Sequence, residues 1–153
     1  MSAASAAAFD GFISGIGAVI CGRRTYDVTP GLDGEGELPG APLFVVTHQA
    51  PGQVPAADPP YTFVTDGIAS AVRQALAAAA GKGVRVMGAS IVQQCLRSGL
   101  LDELTIELVP LMLGRGVRLL DGLEPRTADL EIARVVDAPG VTHLTSRIHR
   151  DHQ

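Results

Sequence analysis

Hydrophobic positions along the chain gather in short runs divided by glycine and proline, and their period changes from one end to the other. Residues 18–21 (AVIC), 43–47 (LFVVT), 61–64 (YTFV) and 84–87 (VRVM) are compact apolar-leaning runs. Runs of this length bounded by turn residues predict strands buried on both faces, as in a parallel sheet. Residues 67–80 and 90–98 follow a helical pattern instead. Thr65-Asp66 offers the first of these an N-cap and Gly81 a stop, while Gly99 ends the second. A short helix over 6–16 is predicted as well, weakened by Gly11 and Gly15.

Beyond residue 100 the period becomes two. In DELTIELVP, residues 102–110, Leu104, Ile106 and Leu108 alternate with Glu103, Thr105 and Glu107, the mark of a half-buried strand. Residues 131–137 and 141–148 are two further strands joined by Ala138-Pro139-Gly140, which reads as an antiparallel hairpin. Glycine- and proline-rich stretches over 28–42 and 48–60 are loops. Strand–helix alternation followed by a β-rich end predicts an α/β fold with a mostly parallel sheet and an antiparallel C-terminal hairpin, in one domain over 1–153.

Composition narrows the function. The chain of 153 residues is 46% apolar, with no Trp and six Phe and Tyr together, so its core is built from Val, Leu, Ile and Ala. A net charge of -4 argues against a nucleic-acid binder that relies on bulk attraction. Cys21 and Cys95 sit in apolar runs without a C-x-x-C pairing, as buried small hydrophobes would in a reduced, cytoplasmic protein. The N-terminus lacks the basic and apolar regions of a signal peptide, and no run of about 18 apolar residues is present to span a membrane.

Three junctions fall at the carboxyl ends of predicted parallel strands: Gly22-Arg23-Arg24-Thr25, Thr47-His48 and Gly88-Ala89-Ser90. Ligands of open α/β sheets bind outside such strand ends. Small residues let a ligand approach the backbone, and the first turn of a following helix presents free N–H groups to an anion. Arg23, Arg24 and Thr25 add donors suited to phosphate. Each junction alone has a plainer reading, as a turn or a solvated helix start. Together they favour an anionic, nucleotide-like ligand.

The segments AVICGRRTYD, LFVVTHQAP, YTFVTDGIASAVRQA and VRVMGASIVQQCLRSGLLDELTIELVPLMLGRGVRLLDG, in this order and spacing, resemble the dihydrofolate reductase-like superfamily. Within it the likeness is to the reductase domain of the bifunctional riboflavin-biosynthesis deaminase–reductase and its stand-alone relatives, from about residue 10 onward. The resemblance implies a three-layer αβα domain with an eight-stranded mixed sheet, an NADPH cofactor and a homodimer. Arg23, Arg24 and Thr25, after Gly22, would contact the adenosine 2′-phosphate and pyrophosphate. Thr47 and His48 would lie toward the adenine-ribose end, and Gly88, Ala89, Ser90 and Ile91 would form the pyrophosphate turn.

Three departures stand out. The family turn carries two adjacent glycines where this chain has Gly88-Ala89, and a Cβ at Ala89 is expected to crowd the phosphates or strain the backbone. Ile91 stands where many riboflavin-type relatives have Asp. The family's first strand, of the type S-L-D-G-x-I-A, has no counterpart, so seven strands are expected instead of eight.

No catalytic residue is assigned. Asp10, in FDGF, is a weak echo of the D-G motif, and Asp66 is expected to cap a helix. His48 is the one histidine at a strand end. His143 and His149 share a strand face with Thr145 and Arg147 and are expected to be exposed or at an interface, and His152 lies in the tail. No histidine pair has helical metal spacing, so no metal is expected. Arg115 and Arg118 read as a solvated loop. The leading expectation is an NADPH-dependent oxidoreductase acting on a small heterocyclic or carbonyl substrate. A non-catalytic dimeric nucleotide-binding or interaction module of the same fold is the second.

Overall fold

The structure, a computed structural model, describes residues 2–29, 38, 40–54, 56, 61–123 and 128–149. Its elements run α1 (Ala3–Ser14), β1 (Ile16–Gly22), α2 (Arg23–Val28), β2 (Leu43–Val46), β3 (Thr62–Val64), α3 (Ile68–Ala78), β4 (Gly83–Met87), α4 (Ala89–Arg97), β5 (Glu103–Leu108), β6 (Asp129–Ala138) and β7 (Val141–His149). All seven expected strands are present. Most of the loop expected over 28–42, the last part of the loop over 48–60 and His152 lie outside the described residues.

The strands form two hydrogen-bonded sets. β3-β2-β1-β4 is a parallel sheet, and β5-β7-β6 is an antiparallel one that contains the C-terminal hairpin. In the parallel sheet β1 lies between β2 and β4, in a register that sets Gly22 beside Val46 and Cys21 beside Met87. The alternation of β1 accounts for the packing. Ala18 and Ile20 point to one face, where Phe44, Val64, Ala71, Ala75, Ile91 and Cys95 bring in α3 and α4. Val19 and Cys21 point to the other, where they meet Leu43, Val45, Tyr61 and, from α2, Tyr26. Both faces of this sheet are therefore covered, as its continuous apolar runs require.

α4 lies across the division between the sheets. Its Val92 and Leu96 pack with Leu104 of β5, against Val86 of β4, Ile106 of β5 and Ile148 of β7. α1 crosses between them as well. Phe12 lies under the Arg85 guanidinium of β4, 5.6 Å from ring centre to Cζ, and Ser5 reaches β7.

Helix ends differ from expectation for local reasons. α1 starts before residue 6 because Ser2 caps it, its hydroxyl accepting from Ser5 N–H at 3.1 Å. α3 is capped by Gly67, at φ 98°, with no side-chain bond, so Asp66 does not cap it. The same helix stops two residues short of 80, because Ala80 takes a left-handed φ of 52° ahead of Gly81. One glycine is fixed by contact: a Cβ at Gly17 would stand 2.2 Å from the Ala79 carbonyl oxygen, so the end of α3 rests directly on the β1 backbone.

Candidate functional site

The parallel arrangement brings the three sequence junctions to one edge of the sheet. β1 ends at Gly22, β2 at Val46 and β4 at Met87, and all three strands run the same way. The chain leaves β1 for β2 and β3 on one side and returns to β4 on the other, so the carboxyl ends of β1 and β4 flank a point where the strand order reverses.

The two turns flanking that point touch. A Cβ on Gly88 would stand 2.7 Å from Thr25 Oγ1, and one on Gly22 would stand 3.2 Å from Ile91 Cγ1. The Gly22–Thr25 turn and the Gly88–Ile91 turn thus form one concave corner. Gly88 is doubly required there, by the Thr25 hydroxyl and by its φ of 91°. It caps α4 with its carbonyl, which accepts from Ile91 and Val92 N–H at 3.1 and 3.0 Å, and no side chain caps the helix. The N–H groups of Ala89 and Ser90 precede those bonds, so the helix itself does not satisfy them. Ala89 opens α4 with a negative φ, so the strain anticipated from its Cβ is absent; the left-handed position falls on Gly88 alone. The Ile91 side chain is buried under Gly22 and belongs to the core rather than to the open corner.

The two arginines differ. Arg23 Nε donates to both carboxylate oxygens of Asp27, at 2.8 and 3.0 Å, one turn along α2. The signal for this i,i+4 pair is the spacing of Arg23 and Asp27 in RRTYD. Arg24 is exposed and has no ion-pair partner among the described residues. On the far side of β1, Thr47 N–H donates to the Val64 carbonyl, and its hydroxyl closes a small turn with Gln49, at 3.0 and 3.3 Å. His48 beside it is exposed.

Other residues leave the site. Asp10 is exposed on α1, whose end meets Gly83 at the start of β4, the edge opposite Gly88. Arg115 and Arg118 lie on an exposed loop, as expected, with Arg118 4.0 Å from Asp121. Cys21 lies one residue before the end of β1, yet burial pushes its thiol up to about 12, offset in part by a backbone hydrogen bond with Tyr26. Cys95, likewise fully buried, is pushed up to about 11. Thiols held protonated in this way are packing groups rather than nucleophiles.

His143 corrects an expectation. It is 9% exposed, with Ser5 Oγ 2.9 Å from its Nε2 and Glu107 Oε1 3.5 Å from its Nδ1. The face shared with His149 and Arg147 is partly covered by α1, whose docking no strand periodicity foretells. The resulting Ser5–His143–Glu107 line has the residue types of a hydrolytic triad, but Ser5 is 4% exposed and occupies a packing position. His149 remains exposed, 2.6 Å from Glu131.

Among the described residues, no helix is long and apolar enough to cross a membrane. Comparison with known proteins gives a consistent picture. A model of the RibD C-terminal domain matches residues 4–144. No curated protein matches. Among solved structures, a putative riboflavin biosynthesis protein from Shewanella sp. PV-4 superposes with a TM-score of 0.77 at 21% identity, over 93% of this chain and 79% of that one. RibD of Acinetobacter baumannii gives 0.64 at 16% identity, over 97% of this chain and 51% of its own. A deaminase/reductase from Thermotoga maritima gives 0.66 at 13%, over 97% and 49%. The chain therefore spans about half the length of these last two proteins.

Proposed function

Because the chain belongs to the RibD C-terminal domain family, we propose that it is a reductase of the riboflavin-pathway type, binding NADPH and reducing a small heterocyclic or carbonyl substrate. The observation that carries this reading is the contact between Thr25 and Gly88, which joins two anion-type turns into one corner at the strand-order reversal. The corner suits a dinucleotide. Gly88 leaves room for close approach, and Ala89 and Ser90 N–H point from a helix start toward where a pyrophosphate would lie.

Arg24, with no carboxylate partner among the described residues, is the first candidate to meet a 2′-phosphate. Arg23, steadied by Asp27, is the second. Thr47 and His48 bound the corner on the β2 side, toward the adenine-ribose end. Bound there, the cofactor would supply the hydride. The residues of this chain bind and orient it, with buried Ile91 and Cys21 forming the dry floor beneath. Holding donor and acceptor carbons together is the main task of such a site.

A non-catalytic nucleotide-binding module is the second reading. What favours it is that β4, which carries the Gly88 turn, has no strand partner on its outer side among the described residues. Titration with NADPH and NADH tests the first step. Selective NADPH binding that Arg24→Ala weakens roughly tenfold or more, with NADH unchanged, fits loss of a charge-assisted phosphate contact. Equal weakening of both cofactors would remove the 2′-phosphate role. Binding without oxidation by any pyrimidine, pterin or carbonyl substrate would favour the module.

A further inference from the structure

The second helix is short, and its charges are not what holds it in place. α2 runs only from Arg23 to Val28, and no side chain caps its start. Tyr26 fixes it to the sheet, with its ring edge-on to Tyr61 at 5.5 Å and to Phe63 at 5.4 Å. Thr25 rests against Gly88. Arg23 and Asp27 lie outside these contacts, with side chains 41% and 46% exposed. An ion pair so open to water adds little to stability. Its order is also the poorer one for a helix, with the cation first and the carboxylate four residues later. Stability therefore does not account for the pair.

Geometry gives it another use. Asp27 takes one edge of the guanidinium, both carboxylate oxygens accepting from Nε at 2.8 and 3.0 Å. The terminal nitrogens of Arg23 make no hydrogen bond among the described residues, so their N–H groups stay open as a fork of the kind that matches phosphate. Arg23 directly follows Gly22 at the corner, whereas Asp27 lies about one turn further along α2. The carboxylate thus grips the arginine from the side away from the corner. A free arginine loses its rotamer freedom when it meets a phosphate, and one already held loses less.

We propose that Asp27 is a positioning residue for nucleotide choice: it holds Arg23 so that the terminal nitrogens form a fork for the 2′-phosphate, beside Arg24. This rests on the NADPH reading of the corner. Asp27 itself touches no phosphate in this arrangement, and its charge repels one. The two effects have opposite signs. A carboxylate that acted through charge alone would oppose NADPH, and its removal would tighten binding. A carboxylate that orders Arg23 favours NADPH, and its removal weakens binding.

The test is calorimetric titration of the wild type, Asp27→Ala, Asp27→Asn and Asp27→Glu with NADPH, NADH and 2′,5′-ADP, with circular dichroism as the check on folding. Asp27→Ala is expected to bind NADPH and 2′,5′-ADP roughly three- to tenfold more weakly, the size expected when a binding side chain must be ordered at the moment of binding. NADH, which lacks the 2′-phosphate, is expected to bind as before. Asp27→Asn should fall between Asp27→Ala and the wild type, and Asp27→Glu, which still reaches Arg23 across one turn, should restore most of the loss. Tighter NADPH binding by Asp27→Ala, equal weakening of NADPH and NADH, or unchanged affinity for all three would each overturn the positioning role. A wild type with no preference for NADPH over NADH removes the cofactor reading and this inference together. A preference that survives intact in Asp27→Ala removes the inference alone.

Discussion

The Ser5 hydroxyl lies 2.9 Å from Nε2 of His143, 138 residues further along the chain, and both side chains are buried. This bond fastens the first helix to the last strand. Ser5→Ala would leave a buried imidazole nitrogen without its partner, at a cost of about 1–2 kcal/mol. Urea denaturation monitored by far-UV circular dichroism would show it. A variant as stable as the wild type would mean that α1 is not held there.

Gly88→Ala should damage both stability and ligand binding. Its Cβ would meet Thr25 Oγ1 at 2.7 Å on a backbone of φ 91°. Overpacking and the disfavoured φ together predict a loss of about 2–4 kcal/mol. Calorimetric titration with NADPH should show the affinity falling as well, since the corner loses its open wall. Ala89→Gly should leave stability within about 1 kcal/mol, because Ala89 is an ordinary first helical residue.

Ala80 carries the opposite lesson. It is the one residue other than glycine with positive φ among those described, 52°, just beyond α3. Ala80→Gly removes that cost and should raise stability by about 0.5–1 kcal/mol. A lower thermal midpoint for the variant would refute the relief.

The two thiols make a pH prediction. Burial raises Cys21 from an ordinary value of 9.0 to about 12 and Cys95 to about 11. The folded chain then holds its thiol protons more tightly than the unfolded one, so the unfolded chain deprotonates first as pH rises. Their contribution is intact below pH 9 and declines as pH rises from there toward 11–12. Denaturation midpoints at about pH 8 and about pH 10 should therefore differ less in Cys21→Ala than in the wild type. The native thiols should also resist a disulfide reagent at about pH 8 and react on unfolding.

Much of this was legible in the residues. The four compact runs are the parallel strands, because a sheet covered on both faces needs no alternation, and DELTIELVP alternates because its sheet has one covered face. The three junctions after β1, β2 and β4 converge because parallel strands end at one edge. What sequence did not reveal depends on long-range docking. Burial of His143 follows from where α1 lies, and the division into two sheets follows from pairings that no local pattern encodes. The Asp66 expectation failed through a local competition, since Gly67 took the cap with a backbone conformation that Asp favours less.

Among the described residues no ladder joins β4 to β5, so the two sheets stand as separate plates. Side-chain packing, unlike strand pairing, tolerates small sliding, so the plates can tilt about the seam while every ladder stays intact. α4 is the strap across that seam, and its first residues are the wall of the Gly88 corner. A ligand drawing on the Ala89 and Ser90 N–H groups therefore pulls on the element that sets the angle between the plates.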